Sequence, residues 1–390
     1  MSEPTNSITN RLLERLANRQ QQGLLRQLRV ADNLIDLCSN DYLGFARSAD
    51  LKTAIQQADL AHATARTGAT GSRLLAGETH LAATIEQELA QFYQTEAALI
   101  FNSGYDANLG LLACLPQAGD TLITDELIHA SMIDGSRLSY ATRHRFRHND
   151  LRDLEQKLEQ SRQSEGQVFV AVESVYSMDG DQAPLIALCD LCDRYGAEML
   201  VDEAHATGVY GPNGEGLVVA LGLQNRVLAR VHTFGKALGV HGAAVVGPQV
   251  LRHYLINFAR PFIYTTALPP HSLLAIGSAH QHLQTHGDVQ ILLHKQIHYF
   301  RQCIARELPD SVWTASESPI QCLIVPGNEQ ARQVAQQLQQ AGFDVRAILS
   351  PTVPAGQERL RICIHAFNTI VELDRLTTVL QSTLINEVTL

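Results

Sequence analysis

The sequence predicts an α/β fold in which a mostly parallel sheet is covered by helices on both faces and is followed by a smaller α+β unit. From about residue 97 to residue 247, short apolar runs alternate with amphipathic helical patterns, and such alternation builds parallel sheets. The pattern changes after Pro269 and Pro270. We therefore predict an N-terminal helix with a connecting segment over 1–45, a large domain over 46–270 and a small domain over 271–390.

The composition is that of a globular protein without targeting segments. The 390 residues are 45% hydrophobic, enough for a sizeable core, and the formal net charge of −10 argues against binding to nucleic acid or to a membrane surface. The polar N-terminus lacks the apolar stretch of a signal peptide, and no apolar run approaches membrane-spanning length, so we expect a cytoplasmic protein. Of the seven cysteines only Cys189 and Cys192 are close together, within a helical pattern, which favours buried thiols over a metal site.

The chain opens with an amphipathic helix predicted over 8–29 and a short strand over 34–38 that enters a turn. Residues 66–77 form a loop rich in glycine and hydroxyl groups, but it lacks the preceding strand and the spacing of a dinucleotide-binding fingerprint. A helix through Leu81 and Phe92 follows, because apolar residues recur there at helical spacing.

The alternating region and the C-terminal region then supply the remaining elements. Strands are predicted over 97–101, 121–124, 168–172, 198–201, 227–231 and 243–246. The basic run 143–148 is interpreted as a polar-edged strand, with a contact to the acyl carrier as the alternative. Helices are predicted up to Leu115 and over 130–138, 151–160 and 184–195. The small domain is predicted to contain one long helix over 271–305, strands over 320–325, 343–348 and 359–364, and helices over 329–341 and from Ile370.

Titratable and hydroxyl side chains follow four consecutive strands of the predicted parallel sheet. Ligands bind beyond the carboxyl ends of such strands. Each residue has a structural alternative, such as a helix cap for Asp202 or a packed ring for His129, but their common position favours one shared site. The residues after the strand ends are His129, Ser177, Asp179, Asp202, Glu203, His205, Thr233 and Lys236.

A lysine in the glycine-punctuated turn after residues 227–231 is the centre of the predicted site. Lysine amines lose their proton when buried, and they condense with aldehydes. Pyridoxal phosphate needs such an amine, a carboxylate for its ring nitrogen and a cradle for its phosphate. A phosphate-loop alternative fails because Ala237 follows Lys236 where that motif needs Ser or Thr. The sequence therefore predicts pyridoxal phosphate, with Lys236 as the amine, Asp202 as the carboxylate, His205 and Ser177 near the phenolic oxygen, His129 stacked on the ring, and Gly104, Tyr105 and Thr233 as the phosphate cradle.

Four short motifs make the chain resemble a known family. They are Ser39–Gly44 (SNDYLG), Ser177–Gly180 (SMDG), Asp202–His205 (DEAH) and Thr233–Lys236 (TFGK). The chain resembles the α-oxoamine synthases, fold-type-I pyridoxal phosphate enzymes that condense an amino acid with an acyl thioester and release carbon dioxide. The resemblance extends from about residue 9 to the C-terminus. It implies a seven-stranded central sheet and a homodimer with the active site at the subunit interface, where Thr265 and Thr266 are expected to reach the partner's cofactor phosphate.

The resemblance also assigns roles to individual residues. Lys236 holds the cofactor and removes the α-proton, Asp202 pairs with the ring nitrogen, and His205 and Ser177 hold the phenolic oxygen. His129 stacks on the ring and assists the thioester carbonyl. The cofactor site further includes Gly104, Tyr105 and Thr233; Arg361 and Asn40 hold the amino acid carboxylate; and Arg26 and Thr352 match positions associated with the acyl substrate.

Within the family, the overall length and the segments Arg147–Asp150 and Pro351–Gly356 are most similar to the members that join L-alanine to a pimeloyl thioester, carried by coenzyme A or a carrier protein, in biotin biosynthesis. The glycine-using members, aminolevulinate synthase and 2-amino-3-ketobutyrate ligase, are the alternative. Arg73 stands where some members have a small residue or histidine, which leaves the acyl group open. An aminotransferase of the same fold and a non-catalytic scaffold are further alternatives, although a scaffold is expected to have lost Lys236 or Asp202.

Overall fold

The computed structural model describes residues 7–28, 30, 33–62, 66–162 and 165–388. Its contacts divide the chain into two units, the first ending at Leu34 and the second beginning at Ile35. The first unit contains helix α1 (Ile8–Gln21), whose N-terminus is capped by the side chain of Ser7. An exposed segment that includes Arg26 follows this helix.

Helix α1 is shorter than the predicted helix over 8–29. Gly23 adopts a left-handed conformation with φ of 65°, and the N–H of Leu24 donates to the carbonyl of Arg19. This is the usual way in which a glycine ends a helix. The prediction extended the helix too far because the apolar residues Leu24, Leu25 and Leu28 continue the helical spacing past the glycine.

The second unit begins with short elements that lead to the main sheet. Strand β1 (Ile35–Asp36) is shorter than the predicted strand over 34–38. Helices α2 (Ala49–His62) and α3 (His80–Phe92) follow, and the loop predicted over 66–77 ends in a single π-helical turn at Arg73–Gly77.

A seven-stranded sheet forms the centre of this unit and confirms the predicted fold class. Six of its strands are parallel, and β8 alone runs antiparallel to its neighbours β7 and β2. The spatial order is β2-β8-β7-β6-β5-β3-β4. The strands are β2 (Ala97–Phe101), β3 (Thr121–Asp125), β4 (Thr142–Phe146), β5 (Val168–Glu173), β6 (Glu198–Asp202), β7 (Ala229–Thr233) and β8 (Ala243–Gly247). The basic run 143–148 begins on β4, which confirms the predicted strand there, and β4 lies at the edge of the sheet.

Helices cover both faces of this sheet. Alternate residues of one strand enter different cores: Phe169 and Ala171 belong to one apolar cluster, and Val170 and Val172 belong to another. Side chains of a strand alternate between faces, so the two clusters lie on opposite sides of the sheet. The helices between the strands are α4 (Gly104–Cys114), α5 (Ala130–Leu138), α6 (Leu151–Ser161), α7 (Leu185–Tyr195) and α8 (Leu217–Ala220).

The long helix predicted over 271–305 is wrong, because the structure has two helices there. After α9 (Gln249–Phe258) and α10 (Arg260–Ile263), helix α11 (Pro270–Thr285) ends and α12 (Gly287–Glu307) begins. His286 between them has φ of −126° and ψ of 45°, outside the helical region. Gly287, a weak helix former, follows this break.

A three-stranded antiparallel sheet forms the C-terminal part, in the order β11-β12-β9. The strand predicted over 343–348 is divided at Val345, because its first half pairs with β1 instead of joining this sheet. The elements are β9 (Ile320–Ile324), α13 (Asn328–Gln340), β10 (Phe343–Asp344), β11 (Arg346–Ile348), β12 (Arg359–Cys363) and α14 (Ile370–Val388).

One apolar cluster contains residues from all three predicted domains. Leu37, Leu89, Phe234, Phe300 and Leu360 are all buried members of it. The boundaries at residues 45 and 270 stay predictions. Within the part of the chain that the structure describes, no helix has both the length and the apolar character needed to cross a bilayer.

Leu360 on the central strand of the small sheet provides a test of this shared core. Leu360 is fully buried, whereas Val371 on α14 is 75% exposed. We expect Leu360→Ala to lower the free energy of unfolding by about 2–5 kcal/mol, because it removes buried methyl groups and leaves a cavity. Val371→Ala should change it by less than about 0.5 kcal/mol. Urea unfolding followed by circular dichroism measures both; equal losses would contradict the assigned core.

Candidate active site

Lys236 lies in the turn between β7 and β8, and its side chain is partly buried. The turn is closed by hydrogen bonds from Phe234 N–H to Gly242 and from Val240 N–H to Phe234, both 2.9 Å. Gly239 in this turn has φ of 66°, and a Cβ there would lie 2.3 Å from the backbone nitrogen of Ala46. Only glycine permits this close packing, which fixes the turn that carries the amine.

A chain of hydrogen bonds connects the amine of Lys236 to the guanidinium of Arg361. Lys236 Nζ lies 2.8 Å from His205 Nε2, and His205 Nδ1 lies 2.7 Å from the Tyr42 hydroxyl. Tyr42 donates to Asn40 Oδ1 at 3.1 Å, and Arg361 Nη2 donates to the same oxygen at 3.0 Å. Tyr42 has one hydroxyl hydrogen, and it is donated to Asn40. The hydrogen between Tyr42 and His205 is therefore on Nδ1 of His205, which leaves Nε2 to accept from Lys236.

Burial lowers the pKa of both the Lys236 amine and the His205 imidazole. It lowers the pKa of Lys236 to about 8, although the nearby Asp202 opposes the shift. Burial and the charge of Lys236 hold the pKa of His205 well below its usual range. A neutral histidine therefore faces a lysine that is much closer to neutrality than a solvated one.

Asp202 ends strand β6 and is buried. Its Oδ2 accepts from Asn108 Nδ2 at 2.6 Å, and its Oδ1 accepts from the N–H of Ala204 at 2.9 Å. Asn108 also donates to Ser131 Oγ at 3.1 Å, and this hydroxyl lies 2.7 Å from Nδ1 of His129. One network thus orients both the carboxylate and the predicted stacking ring.

Asn108 and Ser131 were not among the predicted site residues. Ser131 stands two residues after His129, and Asn108 stands one helical turn after Gly104, on the inward face of α4. Their spacing from predicted residues is the signal that could have identified them. Tyr42 was also missed, although it lies within the SNDYLG motif.

Glu173 is a further buried acid that the prediction omitted. It is paired in register with Asp202 across β5 and β6, and its Oε1 has no hydrogen-bond partner within the described structure. Burial and the charge of Asp202 raise the pKa of Glu173 well above its usual range. As the last residue of a parallel strand, it had the same positional signal as the predicted residues.

The predicted phosphate residues meet at the N-terminus of α4. Ser103 caps this helix by accepting from the N–H of Asp106 at 3.1 Å. A Cβ at Gly104 would lie 3.3 Å from Thr233 Oγ1, so the first turn of the helix touches the end of β7. The ring of Tyr105 lies edge-on to His129 with centroids 6.5 Å apart, and its hydroxyl donates to Asp134. Free N–H groups beside a hydroxyl form a suitable anion cradle.

The two residues predicted for the amino acid carboxylate, Arg361 and Asn40, lie within hydrogen-bond distance of each other. Arg361 Nε donates to the carbonyl of Ser177 at 2.7 Å, in addition to its contact with Asn40. Thr352 lies exposed in a turn in which its N–H donates to Leu349, and no hydrogen bond of the described residues links it to the other site residues. Arg26 lies in the first unit, and its role stays a prediction.

Arg73 is held by two carboxylates. Its Nη1 lies 2.8 Å from Glu86 Oε1, and its Nε forms an ion pair with Glu78. Arg252 contacts the other oxygen of Glu86 at 2.7 Å. The guanidinium of Arg73 is therefore already paired within the chain.

The collected groups fit pyridoxal phosphate. A buried amine of lowered pKa, a buried carboxylate on the neighbouring strand and a helix N-terminus beside a threonine hydroxyl are the three requirements of this cofactor. The described residues contain no group of three or more metal-ligating side chains arranged to hold a metal ion.

Comparisons with known proteins agree with this site. A family model described as aminotransferase class I and II matches residues 32–380. The chain is 41% identical to the 8-amino-7-oxononanoate synthase of Emericella nidulans, over 96% of each chain. It is 43% identical to a putative 8-amino-7-oxononanoate synthase of Geobacillus kaustophilus, over 91% of this chain and 93% of that one.

Solved structures give the same result. A serine palmitoyltransferase of S. paucimobilis with bound PLP and myriocin superposes with a TM-score of 0.89 at 29% identity over the whole of both chains. An 8-amino-7-oxononanoate synthase of Francisella tularensis superposes with a TM-score of 0.78 at 30% identity over 92% of this chain and 99% of that one. The chain belongs to the class I and II aminotransferase family and, within it, to the pyridoxal phosphate-dependent α-oxoamine synthases, with 8-amino-7-oxononanoate synthases among its relatives.

Proposed function

We propose that this enzyme condenses L-alanine with a pimeloyl thioester to give 8-amino-7-oxononanoate, carbon dioxide and a free thiol, as a cytoplasmic step of biotin biosynthesis. The names of the relatives support this reaction. The observation that carries it is the hydrogen-bonded chain that places the amine of Lys236 and the guanidinium of Arg361 at the two ends of one site. An amine for the cofactor and a guanidinium for a carboxylate are what an amino acid substrate requires.

Lys236 performs the proton transfers in this proposal. When bound, pyridoxal phosphate supplies an electron sink that stabilises negative charge on the α-carbon of the amino acid. Lys236 would hold the cofactor aldehyde, and its neutral amine would remove the α-proton of the amino acid. His205 Nε2 accepts a hydrogen bond from this amine at 2.8 Å and so directs the nitrogen lone pair.

Asp202 and His129 are the residues that would contact the cofactor ring. The N–H groups of Asn108 and Ala204 orient the carboxylate of Asp202 toward the ring nitrogen that it would hold protonated. Ser131 sets the orientation of the His129 imidazole, which would stack on the ring and assist the thioester carbonyl. Burial lowers the pKa of His129, which keeps the stacking imidazole neutral near Lys236.

Arg361 would bind the substrate carboxylate, and Ser177 would contact the phenolic oxygen together with His205. Arg361 is restrained by the carbonyl of Ser177 and by Asn40. Fixing a guanidinium before the substrate arrives lowers the entropic cost of orienting the α-carbon beside Lys236. The phosphate would be held by Gly104, Tyr105 and Thr233.

Arg73 does not recognise the acyl chain in this proposal. A free arginine in the site would attract the terminal carboxylate of a pimeloyl group, but Glu78 and Glu86 already bind the guanidinium. Arg26 and Thr352 stay the proposed acyl contacts.

We also propose that the enzyme is a homodimer in which residues of both subunits complete each site. Gly71 accepts from the N–H of Ala267 at 2.9 Å, so the 71–77 and 264–267 segments lie together. Asn102, two residues before Gly104, donates to Thr265 Oγ1 at 3.0 Å, which brings these segments near the phosphate cradle. These segments expose apolar side chains, including Leu75 at 87% and Tyr264 at 72%. Exposed apolar surface of this kind marks a contact with another chain.

Product analysis tests the reaction. Purified enzyme is supplied with alanine, glycine or serine and with pimeloyl, acetyl or succinyl thioesters of coenzyme A and of a carrier protein. We expect carbon dioxide and an amino ketone from alanine and the pimeloyl thioester, and Asp202→Asn should lower the rate at least about a hundredfold, because the ring nitrogen loses its partner. Pyruvate without carbon dioxide would indicate an aminotransferase, and preference for glycine would indicate the glycine-using members.

The pKa of Lys236 gives a pH prediction. Only the neutral amine attacks an aldehyde, so the rate at which cofactor-free protein captures pyridoxal phosphate should rise with pH and level off above about 8. Stopped-flow absorbance of the covalently bound cofactor measures this rate, with Lys236→Ala as the control that forms no such bond. A midpoint near the value of a solvated lysine would contradict a desolvated amine.

Mixed dimers test the shared site. Chains with Thr265→Ala and Thr266→Ala are combined with Lys236→Ala chains, and the affinity for pyridoxal phosphate is measured by absorbance. If the threonines act on the partner's site, each mixed dimer contains one complete site, and its affinity should return to the wild-type value. If they act within their own chain, every site that retains Lys236 stays weakened.

A further inference from the structure

The segment 176–181 connects the large sheet to the small one. Arg361 Nε donates to the carbonyl of Ser177, and Arg359 Nη1 donates to the carbonyl of Met178 at 3.1 Å and forms an ion pair with Asp179. Gly180 has φ of 76°, and a Cβ there would lie 2.1 Å from the carbonyl oxygen of Ile320. The segment is thus packed against β9 and β12, and its position determines where Arg361 is held.

The other end of this segment is held by a histidine. Asp181 Oδ2 lies 2.8 Å from Nε2 of His148 and accepts from Asn149 Nδ2 at 2.8 Å. His148 Nδ1 lies 3.0 Å from Oδ1 of Asp125, the buried last residue of β3, and the N–H of Asn149 donates to Asp125 Oδ2 at 2.9 Å. We call Asp125, His148, Asn149 and Asp181 the His148 clasp.

Several polar atoms in and beside the His148 clasp are buried without a hydrogen-bond partner in the described structure. Asn149 has φ of 55°, in the left-handed region that asparagine adopts more readily than most other residues except glycine. Asn149 Oδ1, Asp181 Oδ1 and the hydroxyl of Tyr176 are buried without a hydrogen-bond partner in the described structure. Buried polar atoms without a partner are rare in native structures, so these atoms call for a specific explanation.

His148 is a cation between two carboxylates at neutral pH. Burial alone would lower the pKa of His148, but its hydrogen bonds and charge interactions with Asp125 and Asp181 outweigh burial and raise the pKa to about 10. The ring of Tyr176 packs edge-on to it at 4.4 Å, and Glu126 accepts the N–H of His148 at 3.0 Å. The bridge ties the end of β3 to Asp181, the last residue of the 176–181 segment.

We propose that His148 is a positioning residue for the amino acid site: through Asp181 it fixes the 176–181 segment and with it the Ser177 carbonyl that holds the guanidinium of Arg361. The proposal rests on the proposed function in that Arg361 binds the carboxylate of the amino acid. His148 itself does not touch Arg361. Loss of the bridge therefore acts on substrate binding through the segment and leaves the residues that bind the acyl group in place.

The test compares His148→Gln, Asp181→Asn and the double variant, each loaded with pyridoxal phosphate. Dissociation constants for alanine, glycine and serine are measured from the change in cofactor absorbance, which requires no turnover. We expect each single variant to bind the preferred amino acid about tenfold more weakly, and the double variant to lose little more than the worse single one, because both break the same bridge. The KM for the acyl thioester should stay within about twofold.

Arg226→Gln is the matched control. Arg226 also bridges two carboxylates, Asp190 at 2.7 Å and Asp193 at 2.6 Å, but it precedes β7 and so lies at the sheet edge opposite the site. Its side chain is 31% exposed and that of His148 is 22% exposed. Arg226→Gln should lower the melting temperature less than His148→Gln, because Asp190 and Asp193 are exposed whereas Asp125 is buried, and it should leave the amino acid affinity unchanged.

If the clasp has a purely structural role, both single variants should have lower melting temperatures but an amino acid affinity within twofold of wild type. That result would overturn the proposal. If His148→Gln does not fold, the amino acid affinity of Asp181→Asn decides the test. If the wild-type enzyme binds an amino acid but releases no carbon dioxide with any thioester, the proposed reaction fails while the affinity comparison still decides the role of His148.

Discussion

The structure depends on keeping a lysine amine and a carboxylate in one buried site without letting them pair with each other. A direct ion pair would hold Lys236 in its charged form, which cannot attack an aldehyde. Instead, both oxygens of Asp202 accept hydrogen bonds from Asn108 and Ala204, and Nζ of Lys236 contacts His205. Burial then lowers the pKa of Lys236 to about 8 against the opposing effect of Asp202. The site is therefore built by giving each charged group a different neutral partner.

The parallel sheet supplies this separation. Asp202 ends β6, and Lys236 follows the end of β7, the neighbouring strand, so the two groups lie at the same edge but on different turns. The turn of Lys236 is fixed by the approach of Gly239 to Ala46, and the carboxylate of Asp202 is fixed by Asn108 on α4. The same sheet edge places Thr233 against the first turn of α4, where the phosphate of the cofactor would be held.

Much of this could be predicted from the sequence, because the large sheet follows local rules. Apolar runs bounded by helical patterns predicted the parallel strands. Because ligands bind beyond the carboxyl ends of such strands, the sequence also predicted that His129, Asp202, His205 and Lys236 share one site. The helix over 271–305 was wrong because one non-helical residue, His286, leaves the apolar spacing intact. Asn108, Ser131 and Tyr42 were missed because uncharged polar residues on a helix or in a turn resemble ordinary caps until the fold shows what they contact. The approach of Arg361 to Ser177 joins residues 184 positions apart, which no local pattern reveals.

The long-range contacts that the sequence does not reveal are those that join the two sheets. Lys236, His205 and Ser177 belong to the edge of the large sheet, whereas Arg361 belongs to β12 of the small one. Tyr42 and Asn40, from the segment before α2, bridge them by hydrogen bonds to His205 and Arg361. Because Asn40 Oδ1 accepts from both Tyr42 and Arg361, any displacement of the guanidinium changes the hydrogen bonding of Tyr42 and, through His205, the surroundings of the Lys236 amine. The carboxylate-binding group and the reactive amine are thus coupled through neutral side chains, which transmit a change of geometry without adding a charge beside the lysine.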